Sequence, residues 1–141
     1  MKLRLAGLLL LAVGSQLITR LLLQTPPESL QRFGGFLLVV KNYHGAFSIP
    51  WSPWLFWPLM IIVIGYVAWQ AVRQWLLKDS EFFYWSLITI GALGNVFDRM
   101  LYGAVIDYIK IFWWPVFNLS DSMIVIGVGL LFWKQLKSKK V

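Results

Sequence analysis

The stretch from Gly91 to Asp121 concentrates ionisable side chains in a chain that is otherwise strongly apolar. It reads GALGNVFDRMLYGAVIDYIKIFWWPVFNLSD and contains three of the six acidic residues, namely Asp98, Asp107 and Asp121. An ionisable group at membrane depth costs roughly a few kcal/mol or more, so such groups are rare and are usually functional. These carboxylates are therefore the first candidates for chemistry.

Asp107 and Asp121 form a candidate catalytic pair, because a chain can fold back within the residues between them and bring both carboxylates together. Two close carboxylates do not both ionise easily, so the pKa of one rises and the pair shares a proton. The ionised member can then activate a water while the neutral member hydrogen-bonds a scissile carbonyl. This is acid–base peptide hydrolysis without a metal or a covalent intermediate. From spacing alone, two solvated acids at a membrane interface are an equally open interpretation.

The inventory of reactive side chains removes most competing schemes. The chain has no cysteine, which excludes disulfides, zinc–thiolate sites and thiol nucleophiles. The single histidine, His44, has no second His or Cys with which to complete a metal site, and we interpret it as a solvated loop residue. We therefore expect neither a metal nor another cofactor.

The composition indicates a polytopic membrane protein. Of the 141 residues, 59% are hydrophobic and only 13% are charged, whereas an average soluble domain has about 25% charged residues. We expect one membrane-embedded domain over residues 1–141. The net charge of +7 comes from positive residues at the ends of apolar segments. That placement favours attraction to membrane lipids and predicts no nucleic-acid partner.

Apolar runs long enough to cross a bilayer predict four transmembrane helices, at about 3–23, 54–77, 82–101 and 116–136. No small-x-small cleavage site follows the first run, so we expect that helix to be retained. Between the first two spans, region 28–52 contains two short extended segments, 36–40 and 46–49, around a turn. The predicted fold class is an all-α membrane protein, a four-helix bundle with a small extracytoplasmic β-hairpin or cradle. Residues 102–115 are predicted to be a short loop.

Charge bias predicts the orientation. Four spans place both termini on one side, where eight Lys and Arg residues would lie, against five on the other side. The bias predicts cytoplasmic termini, with region 28–52 and Asp107 facing outward.

Four motifs along the chain resemble those of the bacterial lipoprotein signal peptidase (signal peptidase II) family. The family pattern is Asn-x-Gly-Ala-Ala-Phe-Ser, then Gly-Ala-Leu-Gly-Asn-x-x-Asp-Arg, then Gly-x-Val-x-Asp-Phe, then Phe-Asn-x-Ala-Asp. The matching segments occur in the same order and cover essentially the whole chain: Asn42–Ser48, Gly91–Arg99, Gly103–Tyr108 and Phe117–Asp121.

The resemblance implies an intramembrane aspartyl endopeptidase with Asp107 and Asp121 as its catalytic dyad. It also implies a set of residues that bind substrate or support the active site, namely Asn42, Asn95, Asp98, Arg99 and Asn118. The implied substrate is a prolipoprotein whose lipobox Cys carries diacylglycerol, cut just before that Cys at the outer face of the bacterial cytoplasmic membrane. Globomycin-type cyclic peptides would inhibit the reaction, and we expect a monomer.

Three departures from the family pattern are visible. The first span of the family carries an Asp-Gln-x-x-Lys brace, where this chain has Ser15, Gln16, Thr19 and Arg20 and no acid. His44 replaces a glycine and Gly45 replaces an alanine in the first motif. The segment between the two aspartates is also shorter than the family pattern leads us to expect. These departures indicate a divergent member with an altered first-span brace and substrate loop.

Two other classes of function remain open on sequence. One is a non-catalytic or repurposed homologue that binds lipidated or helical membrane partners and retains the two aspartates as a structural pair. The other, which ranks last, is a small proton-coupled carrier, because intramembrane acids also serve proton relays. Individual residues have structural alternatives too. Asp98 and Arg99 could form an interfacial ion pair, and Asn95 and Asn118 could be interhelical hydrogen bonders.

Overall fold

The computed structural model describes residues 2–44 and 52–138. In chain order the elements are α1 (Lys2–Gln24), α2 (Pro27–Gln31), β1 (Leu37–Asn42), α3 (Pro53–Leu76), α4 (Glu81–Tyr102), β2 (Val105–Ile109) and α5 (Leu119–Ser138). Helices α1, α3, α4 and α5 are the long ones, with 23, 24, 22 and 20 residues.

Three of the described helices are long and apolar enough to cross a membrane: Leu3–Gln24, Trp54–Leu76 and Leu119–Ser138. Helix α4 is also long, since 22 residues at 1.5 Å each reach about 33 Å. It is more polar, however, because Asn95, Asp98 and Arg99 lie in its second half. Membrane helices are thus present, and the fourth crossing remains a prediction.

Helix α4 is the centre of the bundle, with α5, α3 and α1 all packed against it. Its contact with the start of α5 depends on two small residues. A Cβ atom at Gly91 would meet the Ser120 carbonyl oxygen and lie 2.8 Å from Ile124 Cγ1, and one at Gly94 would meet the Ser120 hydroxyl. The two glycines therefore let the first turn of α5 lie directly on α4, as small residues do in membrane bundles.

Two small apolar clusters hold the helices together. One joins α1, α4 and α5, and the other joins α3, α4 and α5; their buried members are Leu8, Phe82, Leu87 and Met123, and Val67, Ile88 and Leu131. Many large apolar side chains point outward instead, such as Leu10 at 73% exposed and Ile61 at 69%. In a bilayer this surface faces lipid, which is as apolar as the side chains themselves.

The sheet differs from the predicted local hairpin. Strand β1 pairs antiparallel with β2, which lies between α4 and α5, with Val40 opposite Asp107 and Asn42 opposite Val105. The prediction of a plain loop over residues 102–115 is therefore wrong, because that segment contains β2. The other predicted strand, 46–49, lies outside the described residues. The backbone N–H and C=O groups of β1 need hydrogen-bond partners, and β2, which is distant in sequence, supplies them.

The start of α5 also lies three residues beyond the predicted residue 116. Phe117 is held in an extended conformation, since its N–H donates to the Ile109 carbonyl at 3.0 Å and its carbonyl accepts from the Ile109 N–H at 2.7 Å. A residue bonded to β2 in this way cannot belong to the helix, so α5 begins at Leu119, directly after Asn118.

Candidate active site

Asp107 projects from β2 into a pair of amide donors. Asn42 Nδ2, at the end of β1, donates to Asp107 Oδ2 at 3.1 Å, and Asn118 Nδ2 donates to Asp107 Oδ1 at 2.9 Å. The residue is only 4% exposed. Each carboxylate oxygen therefore has a partner, as buried polar atoms require.

Asp121 lies in the first turn of α5 and forms a reciprocal cap with Asn118. The Asp121 N–H donates to Asn118 Oδ1 at 2.9 Å, and the Asn118 N–H donates to Asp121 Oδ2 at 3.3 Å. This is the capping-box arrangement, with Asn and Asp in place of the usual Ser or Thr and Glu. The position of the Asp121 carboxylate is therefore tied to the start of the helix.

Asn95 on α4 completes a chain of hydrogen bonds between the two aspartates. Asn118 Nδ2 donates to Asn95 Oδ1 at 3.1 Å, and Asn95 Nδ2 donates to Asp121 Oδ1 at 2.7 Å. The Asp121 backbone N–H can only donate, so it fixes which atom of the Asn118 amide faces it, and the remaining orientations follow. The two asparagines join α4 to α5 and also connect Asp107 with Asp121.

The pKa of Asp107 is raised from 3.8 to about 6. Burial is the largest cause, because it disfavours the charged form. The hydrogen bonds from Asn42 and Asn118 lower the pKa, and the negative charge of Asp121 raises it. The Asp121 carboxylate is thus close enough to act on the protonation of Asp107, which a separately solvated interfacial acid would not do.

Asp98 and Arg99 occupy different places beside this network. Asp98 is 2% exposed, and its Oδ2 accepts the Ile106 N–H of β2 at 3.2 Å. Arg99 donates to the Asn95 carbonyl at 3.2 Å and to the His44 carbonyl at 2.8 Å, and its guanidinium lies 4.9 Å from the ring centre of Phe56.

The ion pairs between described residues join Lys134 to Asp79 and Glu81, so Asp98 and Arg99 are not paired with each other. Asp98 instead links the end of α4 to β2. The interpretation of Asp98 and Arg99 as an ion pair is therefore wrong.

The network lies at the wall of a cleft of about 770 Å³. Six polar residues line it, namely Asn42, Asn95, Arg99, Asp107, Asp121 and Ser122. The other lining residues are apolar, and most of them come from α3, from α5 and from residues 114–117. The cleft thus offers two carboxylates beside a largely apolar volume, which is the usual composition of a ligand site.

A protein-family model described as signal peptidase (SPase) II matches residues 8–137 of this chain. The chain belongs to the signal peptidase II family. The resemblance seen in the four motifs is thereby confirmed.

Three similar proteins illustrate the family, all of them lipoprotein signal peptidases. The Vibrio cholerae protein is 38% identical over 113 residues, 74% of this chain and 66% of its own. The Pseudoalteromonas atlantica protein is 39% identical over 127 residues, covering 81% and 76%. The Syntrophomonas wolfei protein is 44% identical over 107 residues, covering 74% and 70%. The chain thus spans just under two thirds of the Vibrio cholerae relative.

Two solved structures of bacterial membrane enzymes, determined by the in meso method, share the fold. The one at 2.3 Å resolution has a TM-score of 0.76 and 23% sequence identity, covering 99% of this chain and 90% of the other. The one at 1.9 Å resolution has a TM-score of 0.73 and the same identity, covering 97% and 94%. The arrangement of helices and sheet described above is therefore a known membrane-enzyme fold.

All seven residues singled out from the sequence of this signal peptidase II member lie in or next to the network. The capping box was not predicted from the sequence, although an Asn and an Asp three residues apart before an apolar run carry its signature. Nor was a role predicted for Tyr108, whose hydroxyl accepts a hydrogen bond from the Leu119 N–H at 3.2 Å. No sequence signal would have identified that contact, because it depends on how β2 meets α5.

Proposed function

We propose that this protein is an intramembrane aspartyl endopeptidase that removes the signal peptide from diacylglyceryl-modified prolipoproteins. Cleavage would fall just before the lipidated Cys. One observation carries the proposal: Asp107 and Asp121 are connected through the amides of Asn118 and Asn95 at the wall of an apolar cleft. Membership of the signal peptidase II family supports the same activity.

In the proposed mechanism the two carboxylates share one proton. The buried Asp107, whose pKa is raised to about 6, carries it and hydrogen-bonds the carbonyl oxygen of the scissile peptide. Ionised Asp121 takes a proton from a water as that water's oxygen bonds to the carbonyl carbon. The tetrahedral intermediate then breaks its C–N bond, and the proton held by Asp121 moves to the leaving amine. No covalent enzyme intermediate forms.

The cleft supports the proposed substrate. Its apolar wall includes Leu59 and Met60 of α3 and Val125 and Ile126 of α5, which suits a signal-peptide helix or an acyl chain. A diacylglyceryl group and an apolar helix partition into lipid, so such a substrate would reach the carboxylates sideways from the bilayer. We further propose that α4 also crosses the membrane, that both termini are cytoplasmic and that the carboxylates lie near the outer face, as the charge bias predicts.

The decisive experiment measures cleavage of a purified diacylglyceryl-modified prolipoprotein in detergent or lipid. Asp107→Asn and Asp121→Asn are compared with wild type, because each keeps the size of the side chain and removes its titratable proton. Asp79→Asn is the matched control, since this half-exposed acid pairs with Lys134 away from the cleft. We expect each dyad variant to lose at least about a thousandfold in rate, as losses of essential acid–base groups do.

The outcomes separate the alternatives. Loss of activity in both folded dyad variants, with Asp79→Asn near wild type and globomycin blocking wild type, supports the peptidase. A folded wild type that binds lipidated substrate without cutting it would instead indicate a binding homologue. Activity surviving in either dyad variant would show that the wrong acids have been paired.

A further inference from the structure

The first turn of α5 has a third support besides its capping box. The first N–H groups of a helix have no intrahelical acceptor and need partners from elsewhere. Asn118 and Asp121 satisfy each other's N–H groups. Between them in sequence, the Leu119 N–H donates to the Tyr108 hydroxyl at 3.2 Å. A side chain of β2 thus holds the helix that carries Asp121.

Tyr108 is itself firmly placed. It is 3% exposed, and its backbone N–H donates to the Phe117 carbonyl at 3.0 Å. Both ends of the residue therefore bond to the 117–119 segment that leads into α5. Its chain neighbour Asp107 bonds to Asn118, so β2 contacts the start of α5 twice, once through the carboxylate and once through the phenol.

Helix α1 reaches the same hydroxyl. Thr19 is 3% exposed and its hydroxyl lies beside that of Tyr108. Burial is the largest cause of a raised pKa for Tyr108, while the Leu119 N–H and the Thr19 hydroxyl act to lower that pKa. This contact comes from the part of α1 where the family brace would place an acid and a base, and where this chain has Arg20 but no acid.

We propose that Tyr108 is a positioning residue of this site, whose hydroxyl holds the first turn of α5, and with it Asp121, in place relative to Asp107. Thr19 serves as its second partner and links α1 to the site. The inference rests on the proposed peptidase function. It assigns to two hydroxyl groups the bracing that a charged pair would otherwise supply.

The expected consequence is specific. Without the phenol oxygen the Leu119 N–H loses its acceptor, the first turn of α5 shifts, and the coupling between the two carboxylates changes. Substrate binding along the apolar wall of the cleft does not depend on this bond. The change should therefore appear in kcat and in its pH dependence, with little effect on KM.

The experiment uses the full-length protein and a diacylglyceryl-modified prolipoprotein. Tyr108→Phe removes one oxygen, and Thr19→Val replaces its partner at equal volume. Tyr66→Phe is the matched control, because it removes a hydroxyl that accepts from Gln70 on α3 at 3.0 Å. We expect Tyr108→Phe to lower kcat about threefold to tenfold, the size of one net hydrogen bond, and to shift the pH profile of kcat.

Thr19→Val should lower kcat in the same direction, and adding it to Tyr108→Phe should cost less than its effect alone, because both act through the Tyr108 hydroxyl. If Tyr108→Phe fails to fold, the test rests on Thr19→Val, which should lower kcat and shift its pH profile in the same way. Unchanged kcat in the folded variants, or a fall in melting temperature with an unmoved pH profile, would overturn the inference. An inert wild type would overturn the proposed function instead, so the two failures are distinguishable.

Discussion

Replacing Asn118 by serine separates the two roles that this residue plays. A serine oxygen can still accept the Asp121 N–H, because Ser and Asn are similarly good helix N-caps. The substitution removes Nδ2, which lies 2.9 Å from Asp107 Oδ1 and 3.1 Å from Asn95 Oδ1. Asn118→Ala removes the cap as well. The two variants thus share the loss of the bridge between the carboxylates and differ in the cap.

The structure sets the size of each effect. Asp107 is the protonated member of the pair in the proposed mechanism, so the lost hydrogen bond is one to a neutral group. It costs about 0.5–1.5 kcal/mol, which corresponds to a fall in kcat of about 2- to 13-fold in both variants. Losing the cap costs about 1 kcal/mol of stability, or about 4 °C in melting temperature, in the alanine variant alone. The Asn118 bond lowers the pKa of Asp107. Its loss therefore moves that pKa further above 6, and the alkaline limb of the rate profile moves upward with it.

The assay is kcat for cleavage of a lipidated prolipoprotein between pH 5 and 9, with melting temperature measured in the same detergent. If Asn118→Ser keeps at least half of the wild-type kcat and an unshifted pH profile while Asn118→Ala loses activity, the amide acts only as a cap. That result would refute the argument that it bridges the two carboxylates.

Two further predictions concern packing and pH. Gly91→Ala should lower kcat by at least about tenfold, because its Cβ would lie 2.8 Å from Ile124 Cγ1 and displace the start of α5 with Asp121. Gly129→Ala on α5 is the control, because a Cβ at Gly129 would have no neighbour from another element within 4 Å. It should leave kcat unchanged and add up to about 1 kcal/mol of stability. Equal kcat values for the two variants would contradict this. The pKa of Asp107 rises from 3.8 to about 6 on folding, so wild type should lose up to about 3 kcal/mol of stability as pH rises from about 4 to about 6. Asp107→Asn has no such pH dependence at this position, so its melting temperature should rise relative to that of wild type across this pH window. A difference in melting temperature that does not change with pH would show that the carboxyl is not buried as described.

The sequence predicted those parts of the molecule that local patterns specify. Long apolar runs gave the four long helices, with starts and ends that mostly agree to within a residue or two. The start of α5 was placed too early because apolar residues continue through Val116 and Phe117, while Phe117 bonds to β2 and Asn118 caps the helix. The hydropathy of the sequence reveals neither the bond between Phe117 and β2 nor the cap formed by Asn118. The four motifs, two of which contain Asp107 and Asp121, indicated the family because they occur together and in the family's order.

The partner of β1 could not be predicted in the same way. A neighbouring extended segment, 46–49, offered a hairpin with a short turn, and closing a short loop costs less entropy than closing a long one. The structure pairs β1 with β2 across α3 and α4. Packing of those helices brings the two strands together. The entropy lost in closing the long loop between β1 and β2 is therefore offset by contacts between helices, which a short stretch of sequence does not reveal. The same strand β2 brings the Ile106 N–H to Asp98 and the Tyr108 hydroxyl to the Leu119 N–H.

The pairing also explains how two carboxylates from different elements can hold a fixed relation. Asp107 depends on β2, which is bonded to β1, to Asp98 of α4 and to the 117–119 segment. Asp121 depends on a cap whose other half, Asn118, donates to Asp107. Moving one carboxylate away from the other would therefore break the cap of α5 or the bond to Asp107, each worth about 1 kcal/mol or more. A site built in this way does not need a charged pair on α1 to keep its geometry, so the missing first-span acid is compatible with the proposed activity.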